Sequence, residues 1–138
     1  MLFSSLEIKN FRSINNDGIK INFDDKTNFY SLIGANNSGK SNILDALALV
    51  LGISSGKFYN YTFSLTDFFN QDISQAISIK LTLHSPLEYR NVYQQACQIE
   101  GFILDVKSYK QGESKGQIHT EHHCFGINGK NKNENPLM

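Results

Sequence analysis

Only two cysteines occur in this sequence, Cys97 and Cys124, and two do not suggest a disulfide framework. No excess charge of either sign is present: 13 basic and 13 acidic residues give a formal net charge of 0. A neutral balance makes no global demand for nucleic acid, although a local basic patch remains compatible with it. No apolar run approaches the roughly 18 residues of a membrane span. The opening MLFSSLEIKNFRS breaks into charge within a few positions, unlike a signal-peptide core. Internal repeats and long low-complexity tracts are missing too. With 138 residues and 40% hydrophobic content, the expectation is one soluble, cytoplasmic domain without membrane partners.

Periodicity then divides the chain. Leu6 to Ile14 and Ile19 to Phe23 read as two strands joined by a turn-rich INNDG. Phe29 to Ile33, apolar except for Ser31, reads as a strand buried on both faces. Asn42 to Leu51 is apolar all round and predicts a helix buried on most of its surface, with Gly52 placed to end it. Gly52 to Tyr61 is a loop, and SLTDFFN, Ser64 to Asn70, suits a short turn capped by Ser64 or Thr66. Ala76 to His84 alternates as a half-exposed strand. Pro86 to Cys97 predicts a helix with proline in its first turn. Gly101 to Tyr109 and Gln117 to Phe125 form a further hairpin around KQGESKG. Residues 1–130 are thus expected to form one lobe, and 131–138 a polar tail, disordered or incomplete.

GANNSGKS, residues 34 to 41, lies between the third strand and the first helix. It matches G-x-x-x-x-G-K-[ST] in full at Gly34, Gly39, Lys40 and Ser41. The chemistry needs each type. Glycines let backbone N–H groups turn inward on an anion, with Ser38 and Asn42 in the same turn and helix start. Lys40 supplies a charge for the β- and γ-phosphates, and the Ser41 hydroxyl can ligate Mg²⁺. The helix N-terminus points its dipole at the same place. Nucleotide triphosphate with Mg²⁺ is the ligand this spacing predicts.

FSSLEIKNFRSI, a second strand and then FYSLIGANNSGKSNILDAL together resemble the amino-terminal segment of the SMC/RecF-like branch of ABC-type ATPases. In detail the sequence is most similar to the OLD (overcoming lysogenization defect) family. Members open with a strand ending in N-F-[RK]-S, here Asn10, Phe11, Arg12 and Ser13, and carry G-x-N-[NG]-[SA]-G-K-[ST], here with Asn36 and Asn37. SLTDFF also resembles a segment of that family, and the likeness covers roughly residues 1 to 85. It implies an α/β P-loop NTPase fold, an ABC-type head of which this is the amino-terminal lobe, with antiparallel strands beside the strand-helix unit. It further implies a full-length protein that binds ATP, dimerises or forms a higher oligomer around it, and acts on DNA in repair or anti-phage defence. In this branch the arginine of N-F-R-S lies near the phosphates. Arg12 and Ser13 are therefore candidate contacts, a solvated strand-end charge being the alternative for Arg12. Asn36 either touches phosphate or, like Asn37, serves turn geometry.

Hydrolysis needs further carboxylates, carried in ABC-type enzymes by an apolar strand ending in Asp-Glu and by an L-S-x-G-[EQ] segment of the partner. Neither pattern occurs here; the nearest, GFILD, ends at Asp105 without a following acid. The acidic clusters of the Toprim nuclease domain that OLD proteins add are likewise missing. The expectation is an ATP-binding lobe without efficient turnover of its own, its catalytic residues unknown. A non-hydrolysing interaction module and a small self-contained P-loop kinase are the alternatives, the latter lacking an Arg-rich lid segment. Three lesser candidates remain. In HTEHHC, alternation sets His119, Glu121 and His123 on one strand face and His122 and Cys124 on the other, so that one set could hold zinc; exposed strand histidines are the default. Phe58, Tyr59, Tyr61 and Phe63 could stack a base, though packing is the commoner use. Lys107, Lys110 and Lys115 could touch DNA or simply be solvated.

Overall fold

A computed structural model of the chain describes residues 3–23, 37–53, 55–90, 93–109 and 116–126. Strands β1 (Phe3–Lys9) and β2 (Ile19–Asn22) precede helix α1 (Asn37–Val50). Short 3₁₀ turns follow at Gly56–Phe58, Leu65–Asp67 and Phe69–Gln71, and then strands β3 (Ile77–Arg90), β4 (Ala96–Ser108) and β5 (Ile118–Phe125). The strands form one sheet in the order β2-β1-β3-β4-β5, with every neighbouring pair antiparallel.

The two-residue period of the strands decides what each face does. Leu6 and Ile8 of β1, Ile77, Ile79 and Leu81 of β3, and Leu104 and Val106 of β4 are buried together. Onto this face α1 lays Ala46, Leu49 and Val50, packing across β1, β3 and β4. Phe11 and Phe68, both fully buried, close the core beyond the end of β1. The other face carries the alternate residues, among them Glu7, Lys80, Asp105, Lys107 and Glu121.

Both predicted hairpins are present, but β1 stops at Lys9 and not at Ile14 as expected, because the chain turns out of the sheet through left-handed Asn10 and Arg12. Gly52 ends α1 as expected: its φ is +75°, and Ile53 N–H donates to the Ala48 carbonyl at 3.1 Å, closing the last turn. The helix differs from expectation in two ways. It begins at Asn37, inside the motif, and Leu44 is 55% exposed, so the buried stripe covers only part of its surface. The predicted helix over 86–97 is not formed. Residues 87–90 continue β3 and pair with 96–99 of β4, Leu87 opposite Ile99 and Tyr89 opposite Cys97. Pro86 falls where the register shifts between Thr82 and Leu87, an irregularity in which a missing N–H costs no regular ladder bond. Strand pairing outweighed the proline signal. The predicted strand Phe29–Ile33 and the tail 131–138 lie outside the described residues. No described helix is long and apolar enough to cross a membrane.

Candidate phosphate site at the start of helix α1

Helix α1 presents its first turn, Asn37 to Lys40, with no acidic side chain in it. The positive end of the helix dipole is therefore not neutralised from within. Space beside Gly39 is open, since a methyl group there would meet no described atom within 4 Å. Lys40 is half-buried and Ser41 exposed, and Asn42 is buried behind them. An ammonium, a hydroxyl and the N–H groups of a helix start suit a triphosphate carrying Mg²⁺, with no carboxylate in the turn to repel it. Lys40 and the first-turn N–H groups would hold phosphate and Ser41 the metal, which would draw charge from the phosphate oxygens. Gly34 and Asn36 lie outside the described residues, as do the side chains of Asn37 and Ser38.

Arg12, Ser13 and Asn42 are brought together, but chiefly with one another and with residues the sequence did not single out. Asn42 donates through Nδ2 to Ser13 Oγ at 2.8 Å and accepts from Arg12 Nη1 at 3.3 Å. Arg12 also donates from Nη1 to Asp45 at 2.5 Å, from Nε to Asp67 at 3.1 Å and from Nη2 to the Tyr61 hydroxyl at 3.0 Å. The Tyr61 hydroxyl in turn donates a hydrogen bond to Asp67 at 2.8 Å. These bonds use four of the five N–H donors of a guanidinium. Lys57 Nζ closes the cluster on Asp45 at 2.6 Å. Two cations and two carboxylates leave it balanced.

Local backbone geometry explains how Arg12 gets there. Asn10 and Arg12 both adopt left-handed φ, +58° and +54°. The chain turns sharply out of β1, and Phe11 bridges to Phe68. Arg12 N–H donates to the Asp67 carbonyl and Phe69 N–H to the Asn10 carbonyl, tying the NFRS turn to the LTDFF segment. Asp67 accepts in turn from Ser64 N–H at 3.0 Å, with Ser64 at the N-cap position of that turn. Electrostatics follow the contacts. Burial opposes the charge of Arg12, yet hydrogen bonds to Asp45, Tyr61 and Asp67 more than offset it and raise its pKa. Burial would raise the Asp45 carboxyl, but Lys57 and Arg12 hold it below the ordinary carboxylate value. Desolvation and then Asp67 push the Tyr61 phenol up.

One signal for Asp45 was available: a lone acid inside ILDALALV sits where an unpaired charge is rarely tolerated. Its partners could not be read from spacing, because Arg12 precedes α1 and Lys57 follows it in a different connection. Among the aromatics, Tyr61 and Phe63 pack edge to face at 5.1 Å, and Phe58 lies against Tyr61. Asp105 lies on the sheet face opposite α1, away from the phosphate site.

A family model described as an AAA ATPase domain matches residues 1–135. The chain belongs to this AAA ATPase domain family. Within it, similarity to SMC proteins is specific but short. The chain is 44% identical over 52 residues to the chromosome partition protein Smc of Methanocaldococcus jannaschii. It is 49% identical over 51 residues to the structural maintenance of chromosomes protein 1 of Saccharomyces cerevisiae. These matches cover 38% and 36% of the chain and 4% of either relative. A solved structure from work on ATP-driven dimerization and DNA-stimulated activation of SMC ATPases superposes with a TM-score of 0.54 at 22% identity. That match covers 91% of this chain and 70% of the other. The fold is accordingly that of a P-loop NTPase of the SMC head type.

Proposed function

We propose that the chain is the ATP-binding part of an SMC/RecF/OLD-like ATPase acting in DNA metabolism. The observation that carries this is the acid-free first turn of α1, with open space at Gly39 and Lys40 and Ser41 beside it, in a chain of the AAA ATPase domain family. In this reading Gly34, Asn36, Asn37, Ser38, Gly39, Lys40 and Asn42 form the cradle, and Ser41 takes Mg²⁺. Arg12 and Ser13 brace Asn42, and one Arg12 N–H donor without a partner among the described residues can be offered to a phosphate oxygen. The carboxylates of hydrolysis and the segment that completes the site come from residues other than these 138, so the chain alone holds ATP without efficient turnover. Lys40 and the first-turn N–H groups would hold the γ-phosphate, whose charge would be available to bridge a second copy until hydrolysis removed it. The SMC neighbour described by ATP-driven dimerization and DNA stimulation supports this mode and a DNA partner. Asn36-Asn37 and NFRS favour an OLD-like protein in repair or anti-phage defence, with a Toprim nuclease elsewhere.

Calorimetric titration with ATP·Mg²⁺ tests the cradle. Lys40→Ala is expected to weaken binding at least about tenfold, the loss of one charge-assisted contact of 1.5–3 kcal/mol. Unchanged affinity refutes the site. Robust ATP hydrolysis by the chain alone, abolished by Lys40→Ala, refutes the claim that its catalytic carboxylates lie elsewhere.

A further inference from the structure

On the sheet face away from α1, β4 and β5 set Asp105 directly opposite Glu121. Two carboxylates facing each other across neighbouring strands repel, and such a pair is unfavourable unless a cation sits with it. The same face brings histidines to that point. His123 Nε2 is 3.3 Å from Glu121 Oε2, and His119 Nε2 is 3.6 Å from Glu121 Oε1. One ligand atom each from Asp105, Glu121 and His123 lie within 4.8 Å of one another. His119 Nδ1 and His123 Nδ1 are buried and have no hydrogen-bond partner, so neither ring is fixed by a bond on its far side.

We propose that Asp105, Glu121 and His123 bind a divalent transition-metal ion of the zinc class, with His119 as the next donor along the strand. Three features carry this. A tetrahedral ion with bonds of about 2.0–2.1 Å needs donors separated by roughly 3.4 Å, and the His123–Glu121 separation of 3.3 Å already meets it. The donors come from the i, i+2 and i+4 positions of β5 and from the facing position of β4, which strand alternation holds on one face. Imidazole with carboxylate suits zinc, cobalt or nickel, whereas Mg²⁺ and Ca²⁺ prefer oxygen alone. Lys107 Nζ lies 3.4 Å from Glu121 Oε2 and is 45% exposed. It is the competing cation that an ion must displace, and its flexible stem lets it swing to solvent. The site lies across the sheet from the phosphate cradle and is independent of Ser41.

Co²⁺ titration of the full chain, followed by its visible absorption, tests the proposal. The expected result is saturable one-to-one binding with the intense bands of a four-coordinate nitrogen and oxygen site. Excess Mg²⁺ should leave it in place and Zn²⁺ should displace it. Glu121→Gln and His123→Ala should each weaken it at least about tenfold, no less than the loss of an outer partner of a metal ligand. Lys107→Ala should tighten it, and this variant decides the matter if the others fail to fold. Absence of saturable binding, displacement by Mg²⁺, a thiolate-to-cobalt band from Cys97 or Cys124, or wild-type affinity in folded His123→Ala would each overturn the proposal, as would weakened or unchanged binding by Lys107→Ala.

Discussion

Arg12→Ala should be the most informative single change in the cluster behind the cradle. The side chains of Asp45 and Asp67 are 9% and 7% exposed, and Arg12 is 24% exposed. Removing one partner of a buried ion pair costs about 3–5 kcal/mol, because the remaining charge is left without compensation. Two facts reduce that figure. Arg12 is partly solvated, and Lys57 stays on Asp45 at 2.6 Å. A loss of about 2–3 kcal/mol is therefore expected, roughly an 8 °C fall in melting temperature for a domain of this size. Arg12→Lys should recover only part of it, since an ammonium cannot reach Asp45, Asp67 and Tyr61 as a fork. The pH dependence has a definite sign. Burial pushes Asp45 up, but Lys57 and Arg12 outweigh it and its folded pKa lies below 3.8. A depressed carboxyl contributes stability that is complete above its unfolded value and is lost as pH falls through the folded one. The deficit of Arg12→Ala should thus be full at neutral pH and shrink as pH is lowered below 3.8. Urea unfolding at a series of pH values measures it. A neutral-pH loss under about 0.5 kcal/mol, the range of an ordinary surface change, refutes the reasoning, and so does a deficit that grows with acid.

Three further outcomes are expected. Gly101→Ala should destabilise by about 3 kcal/mol or more, read by urea unfolding, because the added Cβ would overlap the Leu81 carbonyl oxygen and the Phe125 ring. His122→Ala should cost about 1 kcal/mol and speed amide exchange in the last turn of α1, since His122 Nε2 meets the Val50 carbonyl at 2.7 Å and, as the donor, satisfies a helix-end acceptor. Lys40→Ala should leave the unfolding free energy measured in urea unchanged within about 0.5 kcal/mol, so that its effect on nucleotide affinity reports the cradle and not the fold.

What could be read from the sequence, and what could not, follows from the range of the forces involved. Alternation over Ile77 to Leu83 and the turn chemistry of INNDG and Gly52 are local, and the structure agrees with each. The phosphate motif is local as well, since its loop glycines, lysine and helix start lie within eight residues. The failed helix over 86–97 shows the limit. Pro86 at a first turn is a genuine local preference, but the partner strand that overrides it, 96–99, is recognised only once the register is known. Arg12 shows the same limit at the site. The family resemblance made it a candidate phosphate contact or a solvated charge, while folding places two buried carboxylates and a phenol around it. That arrangement has a consequence for the mechanism. Asn42, which directly follows Ser41, is bonded both to Arg12 and to Ser13. A ligand that used only the remaining Arg12 N–H would leave its other bonds in place, whereas one that drew the guanidinium away would have to weaken those to Asp45 and Asp67, which also anchor α1 and the LTDFF segment. Displacement of Arg12 by a nucleotide and the packing of the loop after α1 are therefore coupled through one guanidinium.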